Sequence, residues 1–245
     1  MNAKAQTPTK KPSPSPAKAK AGTVPRKTGG VPDKSSNKVF VLGVVAVLIV
    51  GVLAVAFLAA GRKSTVGGDP TADVKITGDA VAPMPDSTSI TDSTNDPSAG
   101  KVAPNLVGTS FDGSPVTVAP DGRYKAVYFI AHWCPHCQKE VPLVAQLIDA
   151  GKVPANMDIY AVSTSYKAEA GNPPALWLNN TVKLHANIMR DDANSDALVA
   201  YGGGGFPYVV YLDGQDRVIA RTSGELGIDG IQAMWEKVAA TTIPQ

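Results

Sequence analysis

Three patterns of apolar and polar positions follow one another along the chain. Residues 1–38 hold no sustained apolar run, residues 39–61 (VFVLGVVAVLIVGVLAVAFLAAG) hold no charged, amide or hydroxyl side chain, and after residue 103 short apolar runs alternate with amphipathic ones. The uninterrupted run predicts a helix, which at about 1.5 Å per residue spans roughly 30 Å or slightly more, the thickness of a hydrocarbon core. A buried core helix of that length would show a polar stripe, and a cleaved signal peptide has a shorter apolar region and a shorter basic head. The run therefore reads as one uncleaved transmembrane helix, with the small residues Ala59, Ala60 and Gly61 leaving cleavage open.

From residue 103 to residue 245 the periodicity is that of one globular α/β domain. Residues 115–119 (PVTVA) and 124–131 (YKAVYFIA) are β-branched and aromatic runs separated by the turn signal Pro120-Asp121-Gly122. A helix is predicted over about 135–150, with Val141, Val144, Leu147 and Ile148 on one face, then a buried strand over 157–165 (MDIYAVSTS). A short helix around 176–181, a strand at 186–190 (ANIMR) and a helix around 196–201, closed by a glycine tract, come next. Residues 207–221 form a hairpin turning at Asp213-Gly214, and residues 227–241 an amphipathic helix. That order predicts a central mixed β-sheet with helices on both faces.

Charge sharpens the division. Residues 1–38 carry nine Lys or Arg against the single acid Asp33 and are rich in Pro, Ala, Ser and Thr, so they read as a disordered basic tail. The formal net charge of +2 thus hides a −6 balance beyond the tail, which removes the reason to infer nucleic-acid binding. Arg26, Lys27, Lys34 and Lys38 precede the apolar run and only Arg62 and Lys63 follow it at once, so the tail is expected in the cytoplasm and the bulk of the chain outside. Residues 62–102, rich in Asp, Ser, Thr, Pro and Gly, read as a flexible extracytoplasmic tether of roughly 35 Å reach, with a short strand around 73–77 as an option.

The chemistry concentrates in residues 131–142, AHWCPHCQKEVP, which contain the only two cysteines of the chain. Cys134 and Cys137, three apart at a helix start, share one face and can close a small disulfide ring. Helix N-terminal amides favour a thiolate at Cys134, the partner expected to be exposed, and Pro135 fits the first helical position because no amide hydrogen is needed there. Cys137, one turn in, suits the resolving role, and His136 between them is expected to tune the thiolate. A purely structural disulfide across two residues would close too small a loop to stabilise much. With His132, His136 and His185 as the only histidines, a zinc site lacks its second ligand pair, and no resident metal is expected. A Cu(I)-binding module using both cysteines and a histidine stays open as a different class. His132 reads as a surface residue, Trp177 and Trp235 as packing.

WCPHC after an apolar strand, Pro142 five residues past the second cysteine, and GFPYVVYLDGQDRV late in the chain resemble the thioredoxin superfamily. The order APNLVGTSFDGSPVTV, WCPHCQKEVP, FPYVVYLDGQDRV is most similar to its membrane-anchored TlpA/ResA-type branch, carrying a DsbA-like Pro-His dipeptide. The resemblance covers residues 103–245. It implies a thioredoxin fold and a thiol-disulfide oxidoreductase with no cofactor beyond its redox-active disulfide. It also implies a cis peptide at Phe206-Pro207 facing the dithiol, with Trp133, Pro135, Phe206 and Pro207 around the substrate. Glu140 falls where the branch carries a glutamate near the dithiol, and is either a proton relay to Cys137 or a residue that compensates a helix dipole.

Two positions depart from the family pattern. Tyr128 stands six residues before Cys134, where an aspartate is common. Tyr208 follows the proline where threonine is frequent, which suggests a bulkier groove. The implied role is a single-pass cell-membrane protein that forms or exchanges disulfides in exported proteins and is recycled by a membrane redox partner. A thiol reductant, for example in cytochrome c maturation, is the alternative direction of the same chemistry.

Overall fold

The structure is a computed structural model and describes residues 69–85, 90–91 and 94–241. The basic tail and the apolar run of residues 39–61 lie outside the described residues. Among the described residues no helix is long and apolar enough to cross a membrane.

In chain order the elements are β1 (Lys75–Thr77), β2 (Ile90–Thr91), β3 (Asn105–Thr109), β4 (Pro115–Val118), β5 (Tyr124–Ile130), α1 (Pro135–Asp149) and β6 (Met157–Ser163). They continue with a π-helix (Leu176–Val182), β7 (Asn187–Arg190), α2 (Asp196–Ala200), β8 (Tyr208–Leu212), β9 (Val218–Ser223) and α3 (Gly227–Ala239). Six strands form one mixed sheet in the order β2-β9-β8-β5-β6-β7, and β1-β3-β4 form a small antiparallel one. β5, β6 and β7 run parallel, as a strand-helix-strand crossover requires, whereas β8 runs antiparallel to β5 and pairs with β9 through the tight turn at Asp213-Gly214.

β5 explains why both faces of the sheet must be covered. Ala126, Tyr128 and Ile130 point to one side, where α1 contributes Val141, Val144 and Leu147, and α3 contributes Ile231, Met234 and Trp235. Val127 and Phe129 point to the other, among Leu106, Val118, Tyr201 and Tyr208. A period of two in a strand buried on both sides produces the continuous apolar run seen in the sequence. The second face is not the helical layer anticipated. Only the short α2 lies there, and the rest is covered by the β3-β4 hairpin and by residues 81–84. β4 accordingly pairs with β3 and not with β5, so the Pro120-Asp121-Gly122 turn connects two sheets.

The tether expected over residues 62–102 is corrected from residue 69 onward. β1 pairs with β3, β2 pairs with β9, and Val81 and Met84 are buried in the second core. The anchor is a buried ion pair. Both side chains of Asp96 and Arg221 are fully shielded, with Nη2 to Oδ1 at 2.6 Å and Nε to Oδ2 at 2.7 Å. Thr91 Oγ1 and the Ser98 amide donate to the same carboxylate, and the remaining guanidinium nitrogen donates to the Ala82 carbonyl at 2.7 Å. Burial alone would push the Asp96 carboxyl upward, but the hydrogen bonds from Arg221, Thr91 and Ser98 outweigh it and hold the group below its ordinary value.

Removing one partner of a shielded pair strands the other charge in the core. Asp96→Ala is therefore expected to cost about 3–5 kcal/mol, read as a lowered urea midpoint. Because the native carboxyl is depressed, this contribution is complete above the unfolded-state value of about 3.9 and disappears as pH falls through the native one.

Candidate active site

The pairing of β5 with β8 assembles the site. Phe129 near the end of β5 lies opposite Tyr208 at the start of β8, so the turn that follows β5 and the proline that precedes β8 meet at the same edge of the sheet. Cys134 occupies the N-cap of α1 with an extended backbone, and Pro135 begins the helix. Phe206-Pro207 is a cis peptide, and the Phe206 carbonyl oxygen lies 3.9 Å from Cys134 Sγ. Gly204 is demanded here, since a Cβ at that position would stand 2.5 Å from the Tyr208 ring.

Both cysteines are free thiols. Cys134 is the more accessible, as its position predicts, but at 6% exposure it is a buried sulfur reached through a groove and not a surface one. The groove has a volume of about 590 Å³ and is walled by Trp133, His136, Phe206 and Glu225. Cys137 is completely enclosed. Burial pushes its thiol far up, reinforced by the neighbouring Cys134 and Glu140, so it leaves or attacks as a thiolate only when its proton is exchanged locally.

Trp133 stands edge-on to Phe206 with ring centroids 6.0 Å apart, donates Nε1–H to the Ser165 carbonyl at 2.6 Å, and carries the Lys167 ammonium 3.5 Å above its ring centroid. His136 is exposed, and its Nδ1 is engaged by the Glu225 carboxylate, with Lys139 3.4 Å from the same oxygen. What His136 meets through Nδ1 is thus a carboxylate from the turn before α3. The hydrogen bond from His136 first, and then the neighbouring Lys139 ammonium, hold Glu225 below its ordinary value.

Glu140 is buried beneath the dithiol, and its oxygens accept the amides of Leu226 and Gly227 at 3.0 and 3.1 Å. It therefore compensates the start of α3 and not of its own helix. Burial pushes its carboxyl up, only partly offset by those two amides. Tyr128 accepts Trp235 Nε1–H at 2.9 Å. Burial raises its hydroxyl well above the ordinary value, so it remains a neutral hydrogen-bonding group.

Two expectations are overturned. His132 is buried, not superficial: Nδ1–H donates to the Asn172 carbonyl at 3.0 Å, and Nε2 accepts the Lys167 amide at 3.2 Å. Those partners define a neutral ring protonated at Nδ1, which pins the 164–172 loop to the dithiol turn. Tyr208 does not widen the groove. It is fully buried and donates to the Tyr201 carbonyl on the second core. Trp177 and Trp235 pack in the first core as expected. His185 bonds Asp149 at 2.8 Å, so each of the three histidines has Nδ1 committed elsewhere. Among the described residues no group of three or more His, Cys, Asp or Glu is placed to hold a metal ion. Sequence reasoning missed Glu225 and Lys167. Only the acid's position just before a predicted helix hinted at the first, and nothing local marked the second.

A mixed sheet in this order, a dithiol helix leaving its central strand and a cis-proline before the adjacent antiparallel strand define a thioredoxin-like α/β fold. Among solved structures, the thioredoxin domain of a thiol-disulfide oxidoreductase from Bacteroides vulgatus is similar at 26% identity and a TM-score of 0.48, over 58% of this chain and 97% of that one. A thiol:disulfide interchange protein from a Bacteroides species is similar at 27% identity and a TM-score of 0.45, over 59% and 91%. A secreted Mycobacterium tuberculosis disulfide oxidoreductase is similar at 16% identity and a TM-score of 0.45, over 54% and 94%. No protein-family model and no curated protein matches the sequence.

His132→Leu keeps the ring's approximate volume but strands the Lys167 amide and the Asn172 carbonyl. It is expected to cost about 1–3 kcal/mol and to speed hydrogen exchange at Lys167 and its neighbours more than in the strands of the sheet.

Proposed function

We propose that the chain is a membrane-tethered, extracytoplasmic thiol-disulfide oxidoreductase that forms or exchanges disulfides in exported proteins. One observation carries the reading: Cys134, the first sulfur of a free dithiol at the start of α1, lines an open groove and faces the Phe206 carbonyl. In the oxidised form a substrate thiolate attacks Cys134 Sγ, the Cys134–Cys137 bond breaks, and the electron pair leaves on Cys137, which takes up a proton. A second substrate thiolate then attacks the substrate sulfur of the mixed disulfide and expels Cys134 as thiolate. The substrate loses two electrons and the protein dithiol holds them until a membrane redox partner removes them.

Trp133, Pro135, Phe206 and Pro207 line or shape the substrate path, and Glu140, poised by burial to hold or release a proton, serves Cys137. Residues 39–61 supply the lipid anchor that keeps the groove on the outer side, with the basic tail in the cytoplasm.

Equilibration of the Cys134/Cys137 couple with glutathione tests the direction. A potential near −120 mV is expected for an oxidant, and one at or below about −270 mV assigns the chain to thiol reduction instead. Cys137→Ala should leave substrates covalently trapped on Cys134 by a bond that dithiothreitol releases, and absence of such adducts removes the mechanism. Tight stoichiometric copper in mass spectra, with no exchange activity, would move the protein to the Cu(I)-binding class. Glu140→Gln should slow the first displacement, in which Cys134 is attacked and Cys137 leaves, while leaving the later expulsion of Cys134 from the mixed disulfide nearly unchanged, a difference read by stopped-flow mixing of the oxidised protein with glutathione.

A further inference from the structure

His136 is tied down by a residue eighty-nine positions away, and only at one nitrogen. Glu225 reaches it from the turn between β9 and α3, on the far wall of the groove that contains Cys134. The carboxylate is ionised and can only accept, so the imidazole donates through Nδ1–H. In a neutral ring this leaves the lone pair on Nε2. No hydrogen bond engages that nitrogen among the described residues, and the side chain is 61% exposed.

We propose that Glu225 is a positioning residue for thiol-disulfide exchange: by holding His136 through Nδ1–H it reserves Nε2 for the proton that moves between sulfurs in the groove. The inference rests on the oxidoreductase reading. In each exchange, Nε2 accepts the proton of an incoming thiol as its sulfur attacks. It returns that proton to Cys134 when Cys134 is the sulfur that leaves, and to solvent when the enclosed Cys137 leaves and draws its proton from Glu140, so the ring ends as it began. A base oriented by a third group is the general device for activating a nucleophile. Free in solvent, an imidazole divides its proton between both nitrogens and rotates about its side-chain bonds. Glu225 removes the first freedom and limits the second.

The charged groups around the ring are few. Lys139 on α1 shares the Glu225 oxygen, and Lys167 lies across Trp133 on the opposite wall. Glu140 on α1 is turned inward to the α3 amides. Glu225 is thus the only one of them in contact with an imidazole nitrogen.

Glu225→Gln preserves shape but offers both an acceptor oxygen and a donor amide, so it no longer dictates which nitrogen bears the proton. Nitrogen NMR of ¹⁵N-histidine-labelled protein, at a pH well above the ordinary histidine range, should show His136 protonated at Nδ1 in the unaltered protein. In the variant it should show a mixture or the opposite form. Reaction of the oxidised protein with glutathione should slow about three- to tenfold, with little change in unfolding midpoint. The same substitution in a His136→Gln background should add no further slowing.

A His136 ring protonated at Nε2 in the unaltered protein overturns the proposal. So does an unchanged rate in the single variant, or equal slowing in both backgrounds. If the unaltered disulfide does not react with glutathione at all, the oxidoreductase reading falls and this role with it. If it reacts normally and only the Glu225 outcomes fail, the reading survives and the positioning role does not.

Discussion

The antiparallel register of β5 against β8 is the constraint from which the rest follows. Because Phe129 faces Tyr208, two segments more than seventy residues apart converge at one sheet edge, and the sulfur chemistry gains a peptide backbone to work against. A slip by one residue would invert every side chain of β5, placing Val127 and Phe129 under α1 and Tyr128 under the β3-β4 hairpin. Apolar burial on both faces forbids that. The hydrophobic pattern of seven residues thereby fixes the distance between Cys134 and its facing carbonyl more firmly than any contact inside the groove.

Around this edge the polar groups divide the labour by depth. At the bottom, Glu140 and Cys137 are shut away from water, and both are held toward their protonated forms by burial. At the rim, His136, Glu225 and Lys139 are open to solvent. Cys134 lies between the two zones, open enough to be reached and close enough to the buried pair to hand a bond inward. In the proposed exchange, the arrangement separates the sulfur that meets substrate from the sulfur that stores the second half of the disulfide. It does so with dielectric environment and not with distance, since one helical turn spans both.

How much of this was legible depended on the range of the interaction involved. β5, β6, α1, the β8-β9 hairpin and α3 announced themselves because their periodicity is local and their buried faces are long enough to count. The segment from residue 69 to residue 98 did not, because its hold on the domain is a set of single residues. Val81, Met84 and Asp96 sit among prolines, serines and other acids, and their partners lie more than a hundred positions downstream. His132 was misplaced for the same reason, since the loop that buries it folds over it from thirty-five to forty residues away. Tyr208 could have been placed by parity: strand alternation sends Tyr208 and Val210 to one face and Val209 and Tyr211 to the other, so a residue directly after the proline need not look into the groove.

The Asp96–Arg221 lock has one more implication. Arg221 belongs to β9, two strands from the dithiol strand, while its carboxylate partner arrives from the stretch that leads down from the proposed anchor. A chain trimmed at residue 103, the boundary that composition alone suggests, would retain the cationic half of this pair in its interior with nothing to neutralise it. It would also uncover the surface that Val81 and Met84 now roof. The unit that keeps this core closed therefore includes residues 81–96. In the proposed tethered state, tension along the polypeptide would meet the six-stranded sheet first at the end of β7, where Arg190 and Asp191 hold the backbone of residues 69–72.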